Sequence, residues 1–172
     1  MIGKSVAVVL IAAGMLAVPG LSPRAEENEQ NAAALAKALG AASVPLEQGI
    51  KASAREGKPI SAKYEIENGA LQLSVYTMKG NEFSEVIVDD KSGAIKKSEK
   101  ITDEDDLKDA KEQSQAMTKA KLGLDKAVDE AVKANGGYRA VSVMPMLKGG
   151  APLAEVTLMK GTAVKRIAEK LD

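Results

Sequence analysis

The sequence predicts an α+β fold of two repeats, each a helix packed on a small antiparallel β-sheet, joined by a charged connector helix. Three observations predict it. A Met-Lys-Gly triplet occurs twice, at Met78-Lys79-Gly80 and Met159-Lys160-Gly161, and self-similarity on that scale marks one supersecondary unit used twice. Ahead of each triplet, apolar residues recur first at helical spacing and then at alternate positions. Between the copies, Lys96 to Lys121 is the most charged part of the chain.

Taken in order, residues 1–25 read as an export signal. Lys4 precedes an unbroken apolar run from Val6 to Val18, which has the length of a signal-peptide core and is short for a membrane span. No Ala-x-Ala marks the cleavage point, and Val18-Pro19-Gly20 and Pro23-Arg24-Ala25 are both imperfect candidates. Retention as an N-terminal anchor is the alternative, and contact with a membrane is expected only in that case. The expected location is therefore the periplasm or the medium.

Residues 26–42 form a lead-in helix: Ala32 to Leu39 is strongly helix-favouring and Gly40 supplies a stop. The first repeat, 43–95, opens with a helix near Pro45, with Ser43 placed to cap it and Leu46, Ile50 and Ala54 on one stripe. Gly57-Lys58-Pro59 ends it. Ile60, Ala62, Tyr64 and Ile66 then alternate with Ser61, Lys63, Glu65 and Glu67, the mark of a strand with one buried face. Asn68-Gly69 predicts a two-residue hairpin turn, because both positions need positive φ. Leu71, Leu73 and Val75 line the return strand, and Phe83 to Val88 make a third.

In the connector, 96–121, Thr102 and Asp103 with Glu104 and Asp105 mark a helix start, with carboxylates where the helix dipole favours negative charge. Its narrow stripe of Leu107, Ala110, Ser114 and Met117 predicts weak docking. The second repeat, 122–172, opens with Leu124, Val128 and Val132, which align with Leu46, Ile50 and Ala54 at an offset of 78. Carried into the strand, that offset sets Tyr138 and Ala140 against Ile60 and Ala62, and Val141 and Val143 against Lys63 and Glu65. Three added residues around a longer hairpin loop, Lys148-Gly149-Gly150-Ala151, then bring the offset to 81 at the second triplet. The terminal run from Val164 suits a helix by its own spacing, but the repeat predicts a strand.

The pattern of these repeats resembles the PepSY domain: a helix running into Gly, an alternating strand, a polar hairpin, a second strand, and an apolar strand ending in Asp and a Ser-Gly turn. The resemblance rests on Leu46 and Ile50, Ile60 to Ile66, Leu71 to Val75, and Val86-Ile87-Val88-Asp89 with Ser92-Gly93. In the second copy it rests on Leu124, Val128, Gly136-Gly137, Val141 to Met144 and Ala154 to Leu158. It implies an exported or envelope domain. The family takes its name from propeptides of thermolysin-like metallopeptidases, where such domains restrain the protease, and it brings no catalytic residues.

Composition narrows the chemistry. The chain has no Cys and no His, which excludes thiolate catalysis, disulfides, lipid attachment through Cys, and the usual nucleophile-base pairs and zinc sites. The 24 basic residues balance 24 acidic ones, which speaks against nucleic acid as a partner. Four aromatics, Tyr64, Tyr76, Phe83 and Tyr138, are too few for a stacking platform. The acids at Asp89-Asp90 and Asp103 to Asp106 read as strand-end and helix-start residues. Asp103 and Asp105 open like a calcium loop, but Leu107 and Lys108 stand where an oxygen ligand and the turn Gly belong. Met144-Pro145-Met146, with Met159, puts thioethers on a strand, which reads as core filling before a copper site. No enzyme activity, cofactor or metal is expected.

The sharpest contrast between the copies is the outward sheet face, Lys63 and Glu65 in the first against Val141 and Val143 in the second. An apolar outward face needs a cover. The connector helix is one cover; a partner protein or a second copy docking on Val141 and Val143, or adding a strand to an open edge, is the other. The expectation is a non-catalytic protein-binding module, modulating or inhibiting an envelope protease, with a periplasmic small-ligand or metal carrier as the alternative.

Overall fold

The computed structural model describes residues 23–172, with side chains from Asn31 onward. The expected export segment lies outside the described residues, save for its last three, which open the first helix. Helix α1 (Pro23–Leu39) leads into α2 (Leu46–Ser53), followed by strands β1 (Lys58–Glu67), β2 (Ala70–Lys79), β3 (Glu82–Val88) and β4 (Ile95–Lys100). Helices α3 (Glu104–Lys119) and α4 (Leu124–Ala134) precede β5 (Arg139–Lys148), β6 (Ala151–Lys160) and β7 (Ala163–Lys170). The seven strands form a single antiparallel sheet, in the order β4-β3-β2-β1-β5-β6-β7. The terminal run is a strand, as the repeat predicted, and the class is α+β.

The two halves of the sheet meet at a narrow seam. Among the described residues β1 and β5 pair only through Ala62 with Val143 and Lys63 with Ser142. A bulge bounds the seam on each side: the register shifts between Pro59 and Ser61 against β2, and between Ala140 and Ser142 against β6. The extra residues, Ile60 and Val141, bend their strands out of line with each other.

Period-two alternation assigns the faces. Ala62, Tyr64, Leu73, Val75, Val86 and Val88 lie on the face covered by α2, and Val143, Ala154, Val156 and Leu158 on the face covered by α4; all are buried. The two helices lie side by side across the seam, so the half-sheets share one core. Gly49 lets α2 come this close, since a Cβ there would stand 2.5 Å from Leu73 Cδ2. On the opposite face α3 crosses β1, β5 and β6, and Ser61 Oγ donates to Gln113 Oε1 at 2.7 Å.

Basic side chains at the first residues of β1 and β5 tie helix ends to the sheet. Arg139 donates to the carbonyls of Leu39 and Ala42, both at 3.0 Å, and of Val44 at 2.6 Å. Its guanidinium lies 5.2 Å from the Tyr64 ring centroid, and the Tyr64 hydroxyl donates to the Val44 carbonyl as well. Lys58, 81 positions earlier, donates to the Met117 carbonyl at 2.6 Å. Each places a cation on the C-terminal end of a helix, where the dipole favours it.

Several sequence expectations need correction. Ser43 does not cap α2: Pro45 holds the cap position, and the Ser43 amide donates to the Asp90 carbonyl at 2.9 Å. The stretch 96–121 is not all helix, because Asp89 Oδ1 accepts from the Lys91 and Ser92 amides and Gly93 takes φ 75°. That turn sends Ile95 back to pair with Val88 as part of β4. Helix α3 starts at the Asp103 cap as expected, but it docks firmly, with Ala110, Ala116 and Met117 at most 2% exposed. The three added residues lengthen the second helix, with 11 residues in α4 against 8 in α2, and do not fall at the hairpin. Helices α2 and α4 start 78 apart, whereas β1 and β5, β2 and β6, and β3 and β7 all start 81 apart. Gly149-Gly150 is a two-residue turn with positive φ at both positions, like Asn68-Gly69.

Candidate functional site

The residues singled out as a contact face, Val141 and Val143, are 4% and 1% exposed. Val143 pairs with Ala62 and Val156 on the core side. Val141 is the bulged residue between Ala140, which pairs with Leu158, and Ser142, which pairs with Thr157. Neither is available to a partner in this structure. The cause is the misplaced insertion: in the strands the offset is 81, and a slip of register by an odd number moves every side chain to the other face.

With the observed offset, the positions answering to Lys63 and Glu65 are Met144 and Met146. The contrast between the halves survives there on different residues. Met144 is 43% and Met146 38% exposed, and Met146 pairs with the half-buried Leu153. The two sulfur-bearing chains stand on the α3 side of β5, opposite in direction to the buried Val143. A flexible, polarizable Met pair in the open is suited to adaptable apolar contact. Met159, joined with them in the copper reading, is buried.

The same face of the first half is polar and self-satisfied. Lys63 and Glu65 form an ion pair at 2.7 Å, and Ser74 Oγ donates to Glu65 Oε1 while accepting from Gln72 Nε2, each at 3.0 Å. Lys63 Nζ lies 5.7 Å from the Tyr76 ring centroid. Burial, then the nearby charge of Glu85, pushes the Tyr76 phenol far above its usual range, so it stays a hydroxyl. Burial also raises the Asp106 carboxyl at the start of α3, and Asp103 adds to the shift. Lys63, Glu65, Gln72 and Ser74 thus pair with one another across this face.

The remaining candidates have structural work. Asp89 Oδ1 is the acceptor of the β3–β4 turn and its Oδ2 meets Lys96 at 2.8 Å; these bonds hold its carboxyl well below the usual range. Asp103 accepts the amides of Asp105 and Asp106 at 3.0 and 3.3 Å as the helix cap. Among the described residues no group of three or more potential metal-ligating acids converges. Two shallow clefts flank the α2–α4 pair, one of about 190 Å³ between Leu46 and Val132 and one of about 270 Å³ between Ile50 and Leu124. Both fall below the roughly 300–1,000 Å³ of ordinary small-molecule sites.

No protein-family model matches the chain, and no curated protein matches it. Among solved structures it is similar to a "putative lipoprotein" from Clostridium difficile 630, at 14% identity over 71% of this chain and 80% of that one, with a TM-score of 0.39. Among the described residues no helix is long and apolar enough to cross a membrane.

Sequence reasoning held the signal for Met144 and Met146 without using it. Aligning Gly149-Gly150 with Asn68-Gly69, as turns of equal length, carries the offset of the Met-Lys-Gly triplet back into β5 and sets Met144 against Lys63.

Proposed function

We propose that the chain is an exported, non-catalytic protein-binding module of two PepSY-like units, which modulates an envelope protease by docking it on the Met144 and Met146 face. The observation that carries this reading is the exposed Met pair, at a position where the other half of the sheet carries a closed polar network. Large apolar side chains left open on one face favour a protein partner over a solute. Support for the two units comes from the constant offset of 81 in strands, turns and bulges. It comes also from the corresponding ties of Arg139 to Leu39 and of Lys58 to Met117. On this reading α1 and α3, which start 81 apart, are equivalent parts of the units.

The test is affinity capture from an envelope extract, comparing the parent chain with a Met144→Glu, Met146→Glu variant of unchanged melting temperature. A protease retained by the parent, lost by the variant, and altered in rate when the parent is added back supports the proposal. Equal capture by both chains, or no change in any protease's rate, overturns it.

A further inference from the structure

We propose that the free edge of β7 pairs with β7 of a second copy of this chain, antiparallel and in one register, centred on Ile167. This edge is separate from the Met144 and Met146 face. The two outer edges of the sheet are finished differently. The β3 strand is covered along its length by β4, from Val88 with Ile95 to Ser84 with Lys100. The corresponding strand β7 has β6 on one side and no strand on the other among the described residues, which leaves a row of backbone donors and acceptors open.

Charge selects both the occupant and the register. Along β7, Lys165, Ile167 and Glu169 share the core-side face, since they pair with Leu158, Val156 and Ala154, while Arg166, Ala168 and Lys170 share the other. In a symmetric antiparallel pair centred on Ile167, Lys165 of each copy faces Glu169 of the other, twice over. Arg166 then faces Ala168, and Ile167 faces its own counterpart over the shared core. Centring on Arg166, Lys165 or Glu169 sets like charges directly opposite, and centring on Ala168 sets Arg166 against Lys170 twice; all four are penalised. The other open edge, β4, is a poor partner for β7, because Lys96, Lys97 and Lys100 on it would meet Lys165, Arg166 and Lys170. A β7–β7 pair is also isologous and closes at two copies, whereas a β4–β7 contact would run on as a filament.

The test is sedimentation equilibrium of the purified full chain across roughly 10 µM to 1 mM, with charge reversals. The parent is expected to pass from monomer to dimer. Each cross-strand pair carries a modest energy, so Glu169→Lys, which turns two attractive pairs repulsive, should raise the dissociation constant by about tenfold or more. Lys165→Glu should do the same, and the double reversal should restore dimerisation. Because Lys165 also donates to Asn135, Glu169→Lys is the decisive single variant. An independent reading uses the absence of native cysteine: Ile167→Cys should cross-link to itself on mild oxidation, and Arg166→Cys should not. A monomer throughout the range, a dimer indifferent to Glu169→Lys, or open-ended polymers would each overturn the proposal.

Discussion

Replacing Arg139 with Met removes the side chain that holds the Leu39, Ala42 and Val44 carbonyls to the sheet. The side chain sends four N–H bonds outward: to the Leu39 and Ala42 carbonyls at 3.0 Å, to the Val44 carbonyl at 2.6 Å, and more weakly to the Tyr64 hydroxyl at 3.4 Å. A hydrogen bond to a charged group contributes about 1.5–3 kcal/mol net. The first two share one nitrogen, and the residue is half-buried, so water can reach part of what is vacated. Counting two effective bonds at the lower end gives a loss of about 3 kcal/mol. Met keeps most of the contact with Tyr64, which confines the change to charge and hydrogen bonding. For a chain of this size that loss lowers the melting temperature by about 6–12 °C. Urea unfolding followed by circular dichroism measures the energy, and amide exchange at Ala41 to Val44 locates it. Lys58→Met is the internal control, with one carbonyl at stake and about 1 kcal/mol expected. A loss under about 1 kcal/mol for Arg139→Met, or equal losses for the two variants, would refute the reasoning.

Three further outcomes follow. Val143→Lys places an unpaired ammonium in the core at the seam and should abolish folding, whereas Met144→Lys on the next residue should change stability by less than about 0.5 kcal/mol; the two melting curves decide whether the register is as described. Gly49→Ala drives a methyl to 2.5 Å from Leu73 Cδ2 and should cost about 1–3 kcal/mol by overpacking, read from the urea midpoint. Asp89 has its carboxyl held below the usual range, first by Lys96 and then by Ser92, so its contribution is present above the unfolded pKa near about 4 and is lost as pH falls through the folded value. Asp89→Asn should therefore lower the melting temperature at pH 7, with the difference from the parent shrinking below about pH 4; a difference independent of pH would contradict the assignment.

What could be read from the chain depended on how local the signal was. The Asn68-Gly69 turn, the Asp103 cap and the alternation of Ile60 to Ile66 each announce themselves within a few residues, and each is found. The terminal strand was legible only through the repeat, since Val164, Ile167, Ala168 and Leu171 also suit a helix. The placement of the exposed face failed for a counting reason. Helices α2 and α4 start 78 apart but end 81 apart, and nothing in the composition of Leu124 to Ala134 says that three residues are added within that helix and not at the later glycine pair. The bulges at Ile60 and Val141 were equally invisible, because a bulge depends on the neighbouring strand. β4 was hidden by its sequence, Ile95 to Lys100, which is four-sixths charged and reads as solvent-facing helix until the Asp89 turn is seen to fold it back.

The two-residue ladder between Ala62–Lys63 and Ser142–Val143 means that few backbone bonds hold the two halves edge to edge. Packing of α2 on α4 and of α3 across both halves also joins them, supplemented by the covalent path from β4 into α3. That path keeps each half at an effective concentration of millimolar order for the other. A single nick between Ile101 and Asp103 would leave every contact intact and remove that advantage. The protein would then become a complementing pair of fragments, whose survival as one fold depends on dilution.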